Sequence, residues 1–361
     1  MKMTRRTGLA LVLAMTAGLF GGTAAQADEP VKVGFVYVGP IGDHGYSYQH
    51  DQGRLAVEKH FGDKVKTTFV ENVQEGADAE RVIRQLAAAG NDIIFTTSFG
   101  FMNPTAKVAR QFPKVKFEHA TGYLRGPNLA TYMARFYEGR YVAGVAAGRL
   151  TKSNKLGYIA SFPIPEVVRG VNAFTLGARS VNPKAEVRVV WVNSWYDPGK
   201  EREAAEALMA QGVDVLAQHT DSAAPVQAAE EKGIWAIGQA SDMSRFGPKS
   251  HLTAIVDDWS GYYIDRVQAV IDGTWKSADT WHGFDTDMVR LAPFNPATPP
   301  EVKTEALGVE QQIKEHKLHP FTGPINDQSG KEVVAAGKIV RDEDLLKMNW
   351  FVQGVVGSLP K

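Results

Sequence analysis

Aromatic side chains stand in this sequence where small polar ones are usual. Tyr46, Phe99, Phe101, Phe162, Trp195 and Tyr196 all fall in short segments rich in Gly, Ser, Asp and Asn. Such segments normally favour turn-forming residues, so this density points to binding. Two opposed aromatics with a few polar groups between them suit a flat heteroaromatic ligand held by stacking. Ser98, Gln239 and Asp242 offer a hydroxyl, an amide and a carboxylate in the same kind of segment. A carboxylate such as Asp242 accepts hydrogen bonds from ring or exocyclic N–H groups. Packing in a core explains any one of these aromatics taken alone, but not the set.

Acid–base or metal chemistry has little to stand on. Asp43-His44 on a Gly-rich turn reads as a turn or capping element, and Asp257-Asp258 reads as a cap for a helix through Tyr262–Ile271. His119 ends a strand, where a neutral, hydrogen-bonded imidazole is expected. There is no GxSxG, HExxH, P-loop or EF-hand pattern. The chain has no cysteine, which excludes thiol chemistry, disulfides and a lipid-modified N-terminal Cys. The reading is of a binding protein without a cofactor or metal, and not an enzyme; a hydrolase using Asp43 and His44 is the remote alternative.

These residues share a position: each follows an apolar run that reads as a strand. Val31–Val38, Lys66–Val73, Asp92–Thr97 and Val115–Ala120 alternate with helical stretches at Tyr48–Phe61, Ala79–Gly90 and Asn103–Phe112. The pattern recurs with strands at Lys155–Ser161, Glu186–Val192, Asp214–Gln218 and Ile234–Gly238, and helices at Val167–Val181, Glu201–Gly212 and Pro225–Gly233. AERVIRQLAAAGNDIIFTTS (79–98) lies over EREAAEALMAQGVDVLAQHT (201–220) at a constant offset. Strand–helix alternation implies parallel sheets covered by helices. The fold class is α/β, with two doubly wound parallel-sheet lobes joined by a hinge. In such sheets ligands sit beyond the carboxyl ends of the strands, which places 42–46, 98–101, 119–122, 161–162, 193–197, 219–221 and 239–242 around an interlobe cleft.

The expected boundaries are lobe one at 28–125, lobe two at 126–244, a partial return to lobe one within 245–320, and a closing segment at 321–361. Leu291–Pro300, with four prolines, reads as a loop; 328–331 reads as a turn between short strands; Asp342–Phe351 reads as a closing helix. Gly144 and Gly148 give a small-residue helix face for close packing. Residues 1–27 read as a secretory signal peptide: Lys2, Arg5 and Arg6, then an uncharged stretch from Gly8 to Gly22, then Ala25-Gln26-Ala27. The 40 basic residues balance the 40 acidic ones, and losing the leader leaves about three net negative charges. That argues against nucleic acid or an anionic membrane as a partner.

The chain resembles the basic membrane protein (Bmp) family of substrate-binding proteins, with the type I periplasmic binding protein fold. The segments that carry the likeness are VGPIGDHGYSYQHDQG (38–53), EGADAERVIRQLAAAGNDIIFTTSFGF (75–101), ARFYEGRYVAGVAAG (134–148), SWYDPGKEREAAEALMAQGVDVLAQ (194–218) and AIGQASDM (236–243). PIPEVVRGVNAFTLG and WYDPGKEREAA resemble the purine-base-binding branch. The resemblance implies a periplasmic monomer that passes a purine to the permease and ATPase of an ABC importer. It places Tyr46 and Trp195 at the two stacking positions and Asp242 at a base-contacting one. It also implies that ribose-holding groups are missing, because Glu118-His119-Ala120 and Val256-Asp257-Asp258 replace the Asp and Lys of nucleoside-binding members. A free, adenine-like base is therefore expected, with a purine nucleoside as the alternative. Ala240, where the base-binding branch often has Asn, leaves the identity of the base open.

Overall fold

The computed structural model describes residues 29–360; the expected leader lies outside them. Two largely parallel sheets, wrapped by helices, form the core. The first sheet has strands β1 (Val31–Val36), β2 (Val65–Val70), β3 (Ile93–Thr96), β4 (Lys116–Ala120), β5 (Leu129–Ala134) and β11 (Asp279–His282), in the order β11-β5-β4-β3-β1-β2. The second has β6 (Lys155–Ala160), β7 (Glu186–Trp191), β8 (Val215–His219), β9 (Trp235–Ala240), β10 (His251–Asp257), β12 (Val289–Leu291) and β15 (Val355–Val356), in the order β12-β10-β9-β8-β6-β7-β15. Only β12 runs antiparallel, against β10.

The buried strands carry near-continuous apolar runs, as sheets covered on both faces require. Val33, Phe35, Ile93 and Phe95 are fully buried on neighbouring β1 and β3. Helices α1 (Tyr46–Phe61), α2 (Ala77–Ala88) and α3 (Met102–Gln111) connect strands of the first sheet, and α5 (Pro165–Val181), α6 (Pro198–Ala210) and α7 (Ala224–Lys232) those of the second. The internal likeness is structural too: β3 starts at Ile93 and β8 at Val215, the offset seen in the sequence.

Helix α4 (Phe136–Leu150) carries the chain from the first sheet to the second and packs backbone-to-backbone on α5, with Gly144 and Gly148 against Phe174 and Ala178. Helix α8 (Ser260–Ile271) returns to pack on α1, where Gly53 leaves space for Tyr263. Helix α9 (Pro300–Lys314) lies against α4. Among the described residues no helix is long and apolar enough to cross a membrane.

Two expectations need correction. Residues 129–134 form β5 of the first sheet, and 251–257 form β10 of the second. The chain therefore crosses at 134–136 and again after 257, later than boundaries at 125 and 244. The proline-bearing loop runs through 292–299 as expected, and Pro300 then opens α9, where proline's fixed φ and missing N–H cost nothing. The expected closing helix is a single turn, α10 (Asp342–Leu345). Beyond it the Asn172 side chain donates to the Trp350 carbonyl and accepts from the Val352 N–H, which holds that backbone against α5 in place of helical bonds. The turn at 328–331 does join two short strands, β13 (Ile325–Asn326) and β14 (Glu332–Val334).

Candidate functional site

Each sheet has one point where the strand order reverses, and there a crevice opens beyond the strand ends. In the first sheet it lies between β1 and β3, in the second between β6 and β8. The loops leaving these four strands meet at one cavity between the two sheets. Val38 and Tyr46 follow β1; Thr97, Ser98 and Phe99 follow β3; Ile164 and Glu166 follow β6; His219 and Asp221 end and follow β8. Trp195 beyond β7, Gln239 on β9, Thr121 and Phe136 complete the lining.

Tyr46 is the first residue of α1, delivered by a turn with two left-handed glycines, Gly42 (φ 52°) and Gly45 (φ 89°). Gly45 is required twice over: a side chain would strain that φ, and its Cβ would stand 2.9 Å from the Asp221 carbonyl across the cleft. The Gly45 N–H donates to Ser241 Oγ at 2.7 Å, and the Tyr46 N–H to Asp221 Oδ1 at 3.3 Å. A helix's first N–H groups lack intrahelical partners; here one is taken by a carboxylate from the opposite sheet. The Tyr46 ring stands edge-on to His50, centroids 4.3 Å apart, and its buried hydroxyl has no protein partner.

Trp195 leans on Phe162 at 5.1 Å and donates its indole N–H across the cleft to Glu75 Oε1 at 3.3 Å. Glu75 also accepts from Ser98 Oγ at 2.5 Å and the Gly100 N–H at 3.0 Å, so it ties Trp195 to the Ser98–Phe99 loop. Tyr46 and Trp195 both line the cavity, and among the described residues no aromatic contact joins them. An Asp43–Arg245 ion pair at 2.5 Å links the loop after β1 to the segment after β9; being exposed, it contributes little stability.

Burial, and then the charge of Glu201, push the Asp221 carboxyl up to about 8. Burial pushes His219 down to about 4, despite Glu166 Oε1 lying 3.5 Å from its Nε2. The site therefore pairs a neutral imidazole with a carboxyl that is largely protonated at neutral pH while the cavity is empty. The other Glu166 oxygen, Oε2, is buried without a partner. A carboxyl whose folded pKa is raised contributes its full stability below the unfolded pKa and loses it as pH climbs towards the folded one. Asp221→Asn, which mimics the protonated form, should then stabilise the ligand-free protein by roughly 2 kcal/mol at pH 8 and by almost nothing at pH 4. Thermal melts across that range check this; a gap that does not change with pH contradicts it.

Of the residues singled out in the sequence, Tyr46, Trp195, Ser98, Phe99 and Gln239 come together on this cavity. Phe101, Phe162, Tyr196 and Asp242 do not line it, although Phe162 backs Trp195. Phe101 is fully buried among Val36, Val73, Ile83 and Ile94, because the short 3-10 turn Phe99–Phe101 rotates it inward. Asp242 accepts the Ser244 N–H at 2.8 Å and faces a separate open groove. It follows β9, one strand removed from the reversal point. The acidic groups on the cavity are instead Glu166 and Asp221. Asp221 belongs to a strand-end segment visible in the sequence, whereas Glu166 is marked only by its place in PIPEVV. Glu118 and His119 are turned away from the cavity. Glu118 accepts from Tyr262 at 2.7 Å, Arg266 at 2.5 Å and Trp275 at 2.7 Å, and His119 bonds Thr96 at 3.0 Å. Among the described residues no group of His, Asp and Glu is arranged to hold a metal.

Comparison with known proteins points one way. A family model described as "ABC transporter substrate-binding protein PnrA-like" (Bmp) matches residues 30–329. The chain is 56% identical to the purine-binding protein BAB2_0673 of Brucella abortus, over 97% of this chain and 100% of that one. It is 40% identical to a Haloferax volcanii protein provisionally named ABC transporter glucose-binding protein TsgA13, over 94% and 84% of the two chains. Among solved structures, an ABC transporter solute-binding protein from Aeropyrum pernix is similar at a TM-score of 0.68 with 18% identity, covering 88% of this chain and 97% of that one. Another from Conexibacter woesei is similar at 0.64 with 22% identity, covering 80% and 98%. At those identities the likeness speaks for the fold.

Proposed function

Given that this chain belongs to the Bmp family of ABC transporter substrate-binding proteins, we propose that it captures a free, adenine-like purine base in the periplasm and delivers it to an importer's permease. The family binds solutes and works with permease and ATPase subunits. In the proposed complex the base lies in the cleft between Tyr46 and Trp195, with Phe99 beside it. The observation that carries this reading is the meeting of aromatic rings and two carboxyl groups, Glu166 and Asp221, at the reversal points of both sheets.

The chemistry fits. Every base has a π-face for stacking, and adenine offers exocyclic and ring N–H groups that carboxyl oxygens accept. Gln239 and Ser98 add a buried amide and hydroxyl to the lining. A relative named for purine binding at 56% identity supports the ligand class. Glu118 is spent on Tyr262, Arg266 and Trp275, and neither it nor His119 lines the cavity, which supports a base over a nucleoside. Closure across Tyr46–Asp221, Gly45–Ser241 and Trp195–Glu75 encloses the ligand by hinge motion.

Side-by-side titration calorimetry tests the choice of ligand. Adenine should bind with a Kd near 1 μM or below, on the order of −8 kcal/mol, and adenosine at least about tenfold more weakly. Equal or tighter binding of adenosine would move the reading to the nucleoside.

A further inference from the structure

Arg140 touches no part of the cavity, yet it decides how one of the cavity's polar groups can act. It sits in the first turns of α4, just after the crossing between sheets, and is fully buried. Its Nη1 donates to the Gln218 carbonyl at 2.8 Å, its Nη2 donates to Gln239 Oε1, and its guanidinium lies over the Tyr158 ring at 5.7 Å. A guanidinium has donors only. The Gln239 carboxamide must therefore turn its oxygen to Arg140, and its NH2 is left facing away. Among the described residues that NH2 donates to no protein group, and Gln239 lines the cavity.

The rest of the polar lining gives this orientation its weight. Thr97 donates its hydroxyl hydrogen to the Val36 carbonyl at 2.9 Å, Ser98 to Glu75 at 2.5 Å, and Thr121 to the Ala120 carbonyl at 2.7 Å. Their hydrogens are spent inside the protein, and only lone pairs remain for a ligand. The Tyr46 hydroxyl can rotate, and Asp221 can gain or lose its proton. The Gln239 amide can do neither once its oxygen is held. Its donor role is fixed by a buried neighbour, Arg140.

We infer that Arg140 is a positioning residue for specificity: by holding the Gln239 oxygen it presents a permanent N–H donor to the cavity and so selects ligands with an acceptor atom at that edge. This rests on the purine reading and adds to it a rule for which analogues the site rejects. An aromatic ring nitrogen satisfies the donor. A C–H at the same place leaves a buried N–H unpaired, which is costly.

The test uses the wild-type protein with adenine and its 1-, 3- and 7-deaza analogues, each with one ring nitrogen replaced by C–H. Wild type should bind one of the three roughly tenfold or more weakly than adenine. In Arg140→Met the amide is free to turn, and that penalty should shrink to about threefold or less. Arg140→Lys, which keeps a donor within the same space, should restore part of it. Arg140→Met also removes a buried charge near Asp257 and risks misfolding, so Gln239→Glu provides the second line. Its carboxylate still pairs with Arg140 but shows the cavity only an oxygen. Gln239→Glu should therefore weaken adenine and erase or reverse the penalty on the same analogue. A deaza ranking that survives both substitutions, with affinities merely scaled, overturns the inference while leaving purine binding intact. So does a wild type indifferent to all three analogues. Failure of wild type to bind any purine overturns the purine reading, and this inference with it.

Discussion

Trp195→Ala lowers purine affinity by about 1–3 kcal/mol, roughly 5- to 150-fold, if this indole forms one wall of the ligand site. The ring is only partly buried, packs on Phe162 and reaches across to Glu75. Two contributions are mixed in the alanine variant: lost stacking surface and a lost interlobe hydrogen bond. Trp195→Phe separates them, since it keeps a π-face and loses the indole N–H. Affinity within a few-fold of wild type for Phe, with a large loss for Ala, assigns the effect to stacking. Little change in thermal stability accompanies either, because the side chain contributes little to the core. A change below a few tenths of a kcal/mol in the Ala variant would remove Trp195 from the site.

Gly177→Ala destabilises the fold by about 2 kcal/mol, and the sign is the informative part. Alanine in place of glycine within a helix ordinarily gains about 1 kcal/mol from propensity. Here the new methyl would fall inside the van der Waals envelope of the Tyr141 carbonyl oxygen, on the facing helix α4. That obstacle is backbone and cannot swing aside. Overpacking of this kind costs about 1–3 kcal/mol, occasionally more, so the clash outweighs the propensity gain. The effect should reach the ligand as well, because pushing α4 away moves Arg140 and Phe136. Urea midpoints and adenine affinity measured on the same preparation check both parts. A variant as stable as wild type would mean that the α4–α5 contact is looser than these positions require.

How far the site was legible in the sequence follows from what strand order encodes. Periodicity and apolar runs locate β1, β3, β6 and β8 within a few residues, and the rule that ligands lie past strand ends leads to Tyr46, Ser98, Phe99 and Trp195. It leads equally to Asp221 and Asp242, because both follow a strand. Only the order β10-β9-β8-β6-β7 puts Asp221 at the reversal and Asp242 one strand away, and that order comes from pairing between segments distant in the chain. The same ambiguity hides the crossings. LATYMA (129–134) is buried throughout and carries no sign of which sheet it joins. Phe101 was misplaced by one turn of 3-10 helix, a local twist that alternates which of Phe99 and Phe101 faces the core. Glu166 offered the weakest signal: a lone acid at the start of a helix ordinarily reads as a favourable helix-dipole contact.

A purine is proposed to occupy this cleft. The most direct test is calorimetric titration of the protein, unfolded and refolded to strip any bound solute, with adenine and, in parallel, glucose, the sugar for which a 40% identical relative is named. Saturable 1:1 binding of adenine near or below about 1 μM is expected, with no heat from glucose. Tight binding of glucose with no response to adenine would contradict it, leaving the fold and the importer family in place and the aromatic cleft with a different ligand.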